Sequence, residues 1–474
     1  MSTLLYVSSS ARDAAPPAYV HASLPGAVPL LGHLPALVRD PGALLAGLHR
    51  HGDLVDLRLG PNRLVVPCHP ELLRQVYADD RTFDKGGPIY GRFREILGNG
   101  VATCAHADHR RQRRMLQPEF RPDRVTAYAE VMTREAALLA DSWRPGEVVD
   151  VFPSCYRFTL RVLTRTLLGT EVPDALAGRL QRAFETAFAG ALRRVVRLPA
   201  GPRYRAAVRT LRSTVTELVR DHRAHGADRT GLLAGLVAAR DEDGSALSDI
   251  ELHDQVVAML LAGTETTASQ LSWTLRLLTA HPDVLATLYR ELDEALPDGR
   301  PARWSDLPRL PYTDRVLTEA LRLYPPGWVL LRTCTRDAEL GGRTLPRGTQ
   351  VVLSPYVAHH HPGIFADPAR FDPDRWLPER TAALPRWAFA GFANGPRQCL
   401  GADFARTEAA IALATLLARR RPVALSGGSR SDDRGSGRRS DDRPMRLTTV
   451  LRPHRLRLRV LDRRPPASPG SAGD

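Results

Sequence analysis

The sequence predicts a mainly helical α+β domain, with one unusually long central helix and several small β-sheets. Three observations carry this expectation. Ser248-Asp249-Ile250-Glu251 has the spacing of a capping box, and a helical pattern then continues to about Thr279, where His281-Pro282 stops it. Roughly 30 residues at the helical rise make about 45 Å, long enough to cross the whole core. Further helical patterns occupy residues 41–51, 70–78, 124–143, 155–169, 175–196, 203–225 and 402–417. Short alternating stretches bounded by Gly or Pro read as strands: Leu54 to Gly60 with Leu64 to Val66 as a hairpin, a second hairpin over Gly341 to Gly348, and Val351 to Leu353. Strands resume at Met445–Leu451 and Leu456–Leu461.

With 474 residues, 43% apolar and 25% charged, the chain has ordinary globular composition. Residues 24–462 read as one domain. Residues 1–23 and 463–474 read as a flexible leader and tail, and the apolar-free stretch 426–444 as a disordered insertion. Five scattered cysteines, Cys68, Cys104, Cys155, Cys334 and Cys399, form no disulfide framework. With no signal peptide or membrane anchor in view, the expected location is the cytoplasm. The formal charge is +14, nearly all of it arginine; Lys85 is the sole lysine. No zinc finger, RNA-recognition motif or basic aromatic stretch accompanies that charge, so nucleic acid is not an expected partner.

Taken in order, residues 84–103 are glycine-rich, with Ile89, Tyr90 and Phe93 as apolar tips. They read as a loop that forms either a lid or a surface excursion. His109 and Arg113 lie four apart on a helix and can both donate to anionic oxygens; a solvated basic helix is the plainer alternative. Arg110, Arg111 and Arg114 point elsewhere and could form a docking face for an acidic protein. Arg193 to Pro199 is basic and amphipathic, suited to a loop flank or to membrane contact.

The long helix has a flaw at its centre. After the apolar run Val256 to Leu261 comes Ala262-Gly263-Thr264-Glu265-Thr266-Thr267. Glycine weakens a helix, threonines can bond back to carbonyls and bend it, and a glutamate among apolar residues needs a partner. These residues fit either a helix crossing or a ligand laid against the backbone. Further on, Glu319 and Arg322 are one turn apart, Arg375 follows in Phe371-Asp372-Pro373-Asp374-Arg375-Trp376, and Tyr324 to Arg332 leads into a strand.

The remaining landmark is Phe392-Ala393-Asn394-Gly395-Pro396-Arg397-Gln398-Cys399-Leu400-Gly401. A cysteine just before a helix feels free N–H groups and the positive dipole end, which favours thiolate. One thiolate with no second cysteine or histidine nearby argues against zinc or an iron–sulfur cluster, and fits a single axial ligand to haem iron.

This stretch resembles the haem-binding loop of cytochromes P450, Phe-x-x-Gly-x-Arg-x-Cys-x-Gly, at every fixed position. The resemblance implies haem b with Cys399 as the iron ligand, Phe392 packed beside it, and His109, Arg113, Arg332 and Arg397 as propionate contacts. The centre of the long helix is similar to the family's oxygen-binding segment, which implies Thr266 as the threonine that meets dioxygen and Glu265 as the acid that relays protons. Glu319, Arg322 and Arg375 would form the family's buried charge network, with Trp376 where phenylalanine is common. Ile89, Tyr90, Phe93, Ala258, Leu261, Ala262, Val329 and Leu330 would line the substrate pocket, under a roof built from roughly 172–222.

The implied reaction is monooxygenation of an apolar small molecule, using O2 and electrons from NAD(P)H delivered by a separate ferredoxin and ferredoxin reductase to a monomeric, soluble enzyme. Residues 24–33, 109–114, 328–330 and 372–380 also resemble those of actinobacterial P450s that oxidise sesquiterpenes, of the albaflavenone- and pentalenene-oxidising types. A cyclic terpene is therefore the expected substrate. A fatty acid, steroid or polyketide is the alternative. A peroxide-using variant or a non-enzymatic haem sensor or electron carrier fits less well, because Glu265 and Thr266 keep the oxygen-activation pattern.

Overall fold

The computed structural model describes residues 18–169, 174–195, 198–224, 231–425, 445–448 and 450–463. The chain begins with β1 (His21–Ser23), α1 (Leu34–Arg39), α2 (Pro41–Gly47), β2 (Leu54–Leu59), β3 (Asn62–Pro67), α3 (Pro70–Ala78) and β4 (Phe83–Asp84). A helical half follows: α4 (Gly87–Leu97), α5 (His106–Leu116), α6 (Pro122–Ser142), the short β5 (Val148–Asp150), α7 (Val151–Leu168), α8 (Asp174–Val195), α9 (Gly201–Ala224), α10 (Leu232–Ala238) and α11 (Asp249–Ala280). The last third contains α12 (Pro282–Ala295), α13 (Pro311–Leu323), β6 (Leu330–Cys334), β7 (Ala338–Leu340), β8 (Arg343–Leu345), β9 (Gln350–Leu353), α14 (Pro355–His359), α15 (Pro378–Thr381), α16 (Ala402–Arg419), β10 (Arg420–Ala424), β11 (Met445–Leu447), β12 (Leu451–Pro453) and β13 (Arg457–Asp462).

One mixed sheet runs β1-β2-β3-β9-β6-β4, and a second runs β10-β13-β5. Helix α11 passes through the helical core. Its capping box is closed from both sides: the Glu251 N–H donates to Ser248 Oγ at 3.3 Å and the Ser248 N–H to Glu251 Oε2 at 2.8 Å. The helix stays continuous through its weak centre. Thr264 and Thr266 donate back to the carbonyls of Leu260 and Ala262. Gly263 is where α7 crosses; a Cβ there would sit 3.0 Å from Leu163 Cδ2.

Four sequence expectations change. Residues 87–97 are a helix rather than a loop, with proline in its first turn presetting the backbone and Gly98, at φ 69°, ending it. Its glycines masked the pattern. The leader is ordered by residue 21, because β1 pairs in parallel with β2, His21 opposite Leu54. At the other end Arg463 is no loose tail: it donates to the carbonyls of Tyr289 at 3.0 Å and Leu417 at 3.3 Å. Met445 to Leu451 is not one strand but the hairpin β11–β12. The expected insertion 426–444 and the rest of leader and tail lie outside the described residues.

Candidate active site

Geometry alone explains much of the cysteine loop. Gly395 has φ 71°, and a Cβ there would lie 2.3 Å from the Tyr77 carbonyl oxygen, so only glycine fits against α3. Ala393 is also left-handed, at φ 57°. The Gln398 N–H closes a turn on to Gly395 O at 3.0 Å, and the Cys399 N–H reaches Phe392 O at 2.8 Å. Cys399 emerges exposed, immediately before α16. The four other cysteines are buried. Although its surface is open, the protein atoms crowded around the sulfur push the Cys399 thiol up; the Gly401 N–H and the charges of Arg113 and Lys85 pull it down. Phe392 packs under the Arg406 guanidinium, 5.4 Å from ring centre.

Beside the loop lies a buried concentration of positive charge. Arg332 is 2% exposed and uses Nη1 on the Leu331 carbonyl at 2.8 Å, while its Nε is buried without a hydrogen-bond partner. Lys85 donates to Ala102 O at 2.7 Å. Burial, Arg332 and Arg397 lower its pKa to about 7. Burial, Arg397, Lys85 and Arg113 push His109 down to about 3, so it is neutral and carries one N–H. Arg113 holds the cysteine loop directly, Nη1 to Gln398 O at 2.6 Å. Arg397 is largely committed to protein: Nε to Asp80 Oδ2 at 3.0 Å, Nη2 to Asp84 Oδ1 at 2.8 Å and Nη1 to Cys104 O at 2.9 Å. Its fork leaves two of five N–H groups. Two aspartates do not balance this cluster. An orphaned Arg332 N–H and a depressed lysine are what a flat ligand with two carboxylates would satisfy, and haem is such a ligand. Among the described residues no group of three or more His, Cys, Asp or Glu could hold a metal ion.

Helix α11 carries the other expected site residues. Ala262 and Thr266, one turn apart, share its open face, while Glu265 is 4% exposed and turned into the protein. A polar ladder ties this helix to the segment between α4 and α5 and to α5 itself: Asp254 accepts the Asn99 N–H at 2.7 Å, Gln255 accepts the Val101 N–H at 2.9 Å, and Gln255 Nε2 donates to Gln112 Oε1 of α5 at 2.9 Å. That ladder sets where His109 and Arg113 stand.

Of the expected pocket residues, Ile89, Phe93 and Val329 share one apolar cluster with Leu331 and Trp328. Tyr90 bonds Leu331 O at 3.2 Å, and Phe93 meets Phe188 of α8 with ring centres 5.8 Å apart. Ala258, 3% exposed, is on the α11 face of Ala262, and Leu261 packs on the large helical core. Leu330 stands apart from that cluster. It packs with Leu73, Tyr77 and Ala393 of the cysteine loop, on the β6 face that it shares with Arg332. Leu331, the next residue, joins the cluster of Ile89, Phe93 and Val329.

Glu319 and Arg322 are wholly buried and paired twice, Nε to Oε2 and Nη2 to Oε1, both 2.8 Å. Arg375 Nε reaches the same Oε1 at 3.3 Å. The expected docking arginines are partly engaged elsewhere: Arg111 pairs with Glu251 at 2.6 Å, and Arg114 with Asp241 and Glu242. Arg110 is exposed. Sequence reasoning missed Asp80, Asp84, Lys85, Leu331 and Phe188. The two aspartates lie more than 300 residues from Arg397, and no local spacing joins them.

The family model for cytochrome P450 matches residues 23–423. The chain is 45% identical to the pentalenene oxygenase of Streptomyces avermitilis, over 94% of this chain and 98% of that one. It is 43% identical to the cyclooctatin synthase of Streptomyces melanosporofaciens, covering 86% and 91%. Among solved structures it superposes on the P450DA haem domain with a TM-score of 0.81 at 28% identity, covering 94% and 97%. A cysteine held open at a helix start, a cradle of cations that asks for two carboxylates and matches along nearly the whole chain converge: this protein belongs to the cytochrome P450 family and is a P450 monooxygenase.

Proposed function

We propose that this monooxygenase hydroxylates or further oxidises a cyclic terpene, with a sesquiterpene hydrocarbon the leading candidate. The observation that carries this is the uncharged pocket wall. Ile89, Phe93, Phe188, Val329, Leu331 and Ala262 offer shape and apolar surface. The charges on α4 are already engaged: Arg94 with the carbonyls of Lys85 and Thr103, Glu95 with Arg92 and Arg194. A fatty-acid carboxylate would find no anchor on that wall, whereas a compact hydrocarbon needs none. The names of the two Streptomyces relatives agree with this reading.

Cys399 would hold the haem iron, with His109, Arg113, Arg332, Lys85 and the remaining Arg397 donors at the propionates. The haem supplies oxygen activation and oxidising power. The chain supplies the rest. The apolar wall excludes water and fixes which carbon faces the centre. Thr266, on the open face one turn from Ala262, turns its hydroxyl from the Ala262 carbonyl towards the ligand. Glu265 holds a proton behind it for delivery. Electrons come from NAD(P)H through a cytoplasmic ferredoxin and its reductase.

The test is an optical titration of the ferric enzyme with cyclic sesquiterpenes, fatty acids, steroids and macrolides, followed by product analysis with ferredoxin and reductase. A saturable spin-state shift and an oxygenated product with a cyclic terpene alone are expected. Response only to a carboxylate-bearing lipid would overturn the assignment.

A further inference from the structure

The exposed apolar side chains of this protein are gathered rather than scattered. Among the described residues ten large hydrophobic side chains are exposed, and five of them, Val28, Leu30, Leu31, Leu192 and Leu198, fall on two neighbouring segments. Residues 25–31 run into a tight turn, and every one of them is exposed and uncharged. Val28 and Gly32 exchange backbone bonds of 3.0 and 2.8 Å, which pin the turn at its base. Gly32 lies so close to β2 that a Cβ there would be 2.4 Å from Arg58 O. Leu31 O accepts the Gly60 N–H at 3.0 Å, and Asn62 Nδ2 bridges Leu59 O at 3.2 Å and Val195 O at 3.0 Å. The turn, the tip of the β2–β3 hairpin and the end of α8 therefore form one ledge. The chain beyond α8 folds back on that helix: the Leu198 N–H donates to Arg193 O at 2.8 Å, and Arg193 Nε to Pro199 O at 3.1 Å.

Two further features set the ledge apart from an ordinary surface. Leu30 has φ 62° and is 87% exposed. That left-handed conformation is uncommon for a residue with a side chain and comes more easily to glycine or asparagine. A leucine held there in water gains no packing from the fold, so the strain is unexplained by stability. The second feature is charge. Segments 24–39, 57–70 and 186–216 contain no Asp or Glu, while Arg58, Arg63 and Arg193 are exposed. The acids next to them are engaged: Asp40 accepts the Ala43 N–H at 3.0 Å, and Glu95 binds Arg194 and Tyr204.

We propose that this ledge docks the enzyme on an anionic lipid bilayer. Leu30, Leu31 and Leu198 enter the acyl boundary, and Arg58, Arg63 and Arg193 meet the headgroups. An apolar tip rimmed by cations is complementary to such a surface, because the two parts of each lipid take the two kinds of side chain. No helix among the described residues is long and apolar enough to cross a membrane, so the contact is with one leaflet. The docking goes beyond the terpene assignment and uses none of its pocket residues.

The formal charge of +14 attracts anionic vesicles by itself, so the decisive variants leave charge unchanged. The full-chain holoenzyme is floated with vesicles of phosphatidylcholine and phosphatidylglycerol in equal parts, and with phosphatidylcholine alone. The parent should float with the mixed vesicles and stay behind with the neutral ones. Leu30→Asn combined with Leu198→Asn should lower partitioning about tenfold with the haem spectrum unchanged. Leu30→Asn alone should hold or raise the urea midpoint, because asparagine tolerates the left-handed φ. Leu138→Asn, which removes a leucine 44% exposed on α6, should float like the parent. Failure of the parent to float, or flotation of the double variant at the parent level, overturns the proposal. So does a lipid-free dimer that the double variant dissociates, since the ledge would then be a contact between two copies of this chain.

Discussion

Trp376 donates its indole N–H to Glu319 Oε2 at 2.9 Å, in a site where Glu319 is wholly buried. The same carboxylate accepts two bonds from Arg322, one from Arg375 and the Asp372 N–H. Trp376→Phe removes one donor to a buried charge and should cost about 1.5–3 kcal/mol. Arg322→Met leaves the carboxylate poorly compensated and frees the carbonyls of His359, Pro368 and Arg370, and should cost about 3–5 kcal/mol. Urea unfolding of both variants checks the order. A smaller loss for Arg322→Met than for Trp376→Phe would contradict this account of the network.

Lys85 gives a pH dependence of opposite sign to most lysines. Its pKa in the folded haem-free chain is about 7, against an unfolded value near 10.5. Between these values the unfolded chain binds more protons, so stability of the haem-free protein should rise with pH from about 7 to about 10 and be insensitive to this group below 7. Lys85→Met should remove that slope. Propionates would favour the charged lysine, so haem should flatten the slope in the parent. Denaturation midpoints of haem-free and haem-loaded protein at pH 7 and pH 9 make the comparison. An equal slope in Lys85→Met would exclude the lysine as its source.

What was legible in the sequence follows from the range of the interactions. The capping box, the long helix and the cysteine loop are set by residues within a turn or two of each other, and all appear where spacing puts them. Helix α4 was hidden because Gly86, Gly87, Gly91 and Gly98 read as loop, although Gly98 marks its end and Gly86 precedes its start. The partners of Arg397 could not be read, since Asp80 and Asp84 come from the other end of the chain. Leu330 and Leu331 join different apolar clusters, a split made by strand alternation and by partners distant in the chain, which no local spacing shows.

That split is itself testable. Leu331→Ala and Phe93→Ala each remove apolar contact from the pocket wall and should weaken terpene binding about tenfold, since a buried large side chain contributes about 1.5–3 kcal/mol. Leu330→Ala should leave the substrate titration within twofold while lowering the unfolding midpoint, because Leu330 packs in the α3 cluster. Reversal of the two leucine phenotypes would put Leu330 on the substrate side.

Glu408 of α16 is 1% exposed, and neither carboxyl oxygen has a hydrogen-bond partner; Thr267 of α11 faces it, its own hydroxyl also unpartnered. Burial raises its pKa well above the usual carboxylate range, so the folded protein holds it neutral. The unfolded chain ionises this group above about 4.3. The unfolded state therefore binds fewer protons, and this residue subtracts stability progressively as pH rises from there. Glu408→Gln keeps the shape and removes the ionisation. It should match the parent near pH 4 and exceed it increasingly at pH 6 and pH 8, read as a widening gap in urea midpoints. A constant gap would mean that Glu408 is ionised in the folded protein, and that a cation or ordered water satisfies it between α11 and α16.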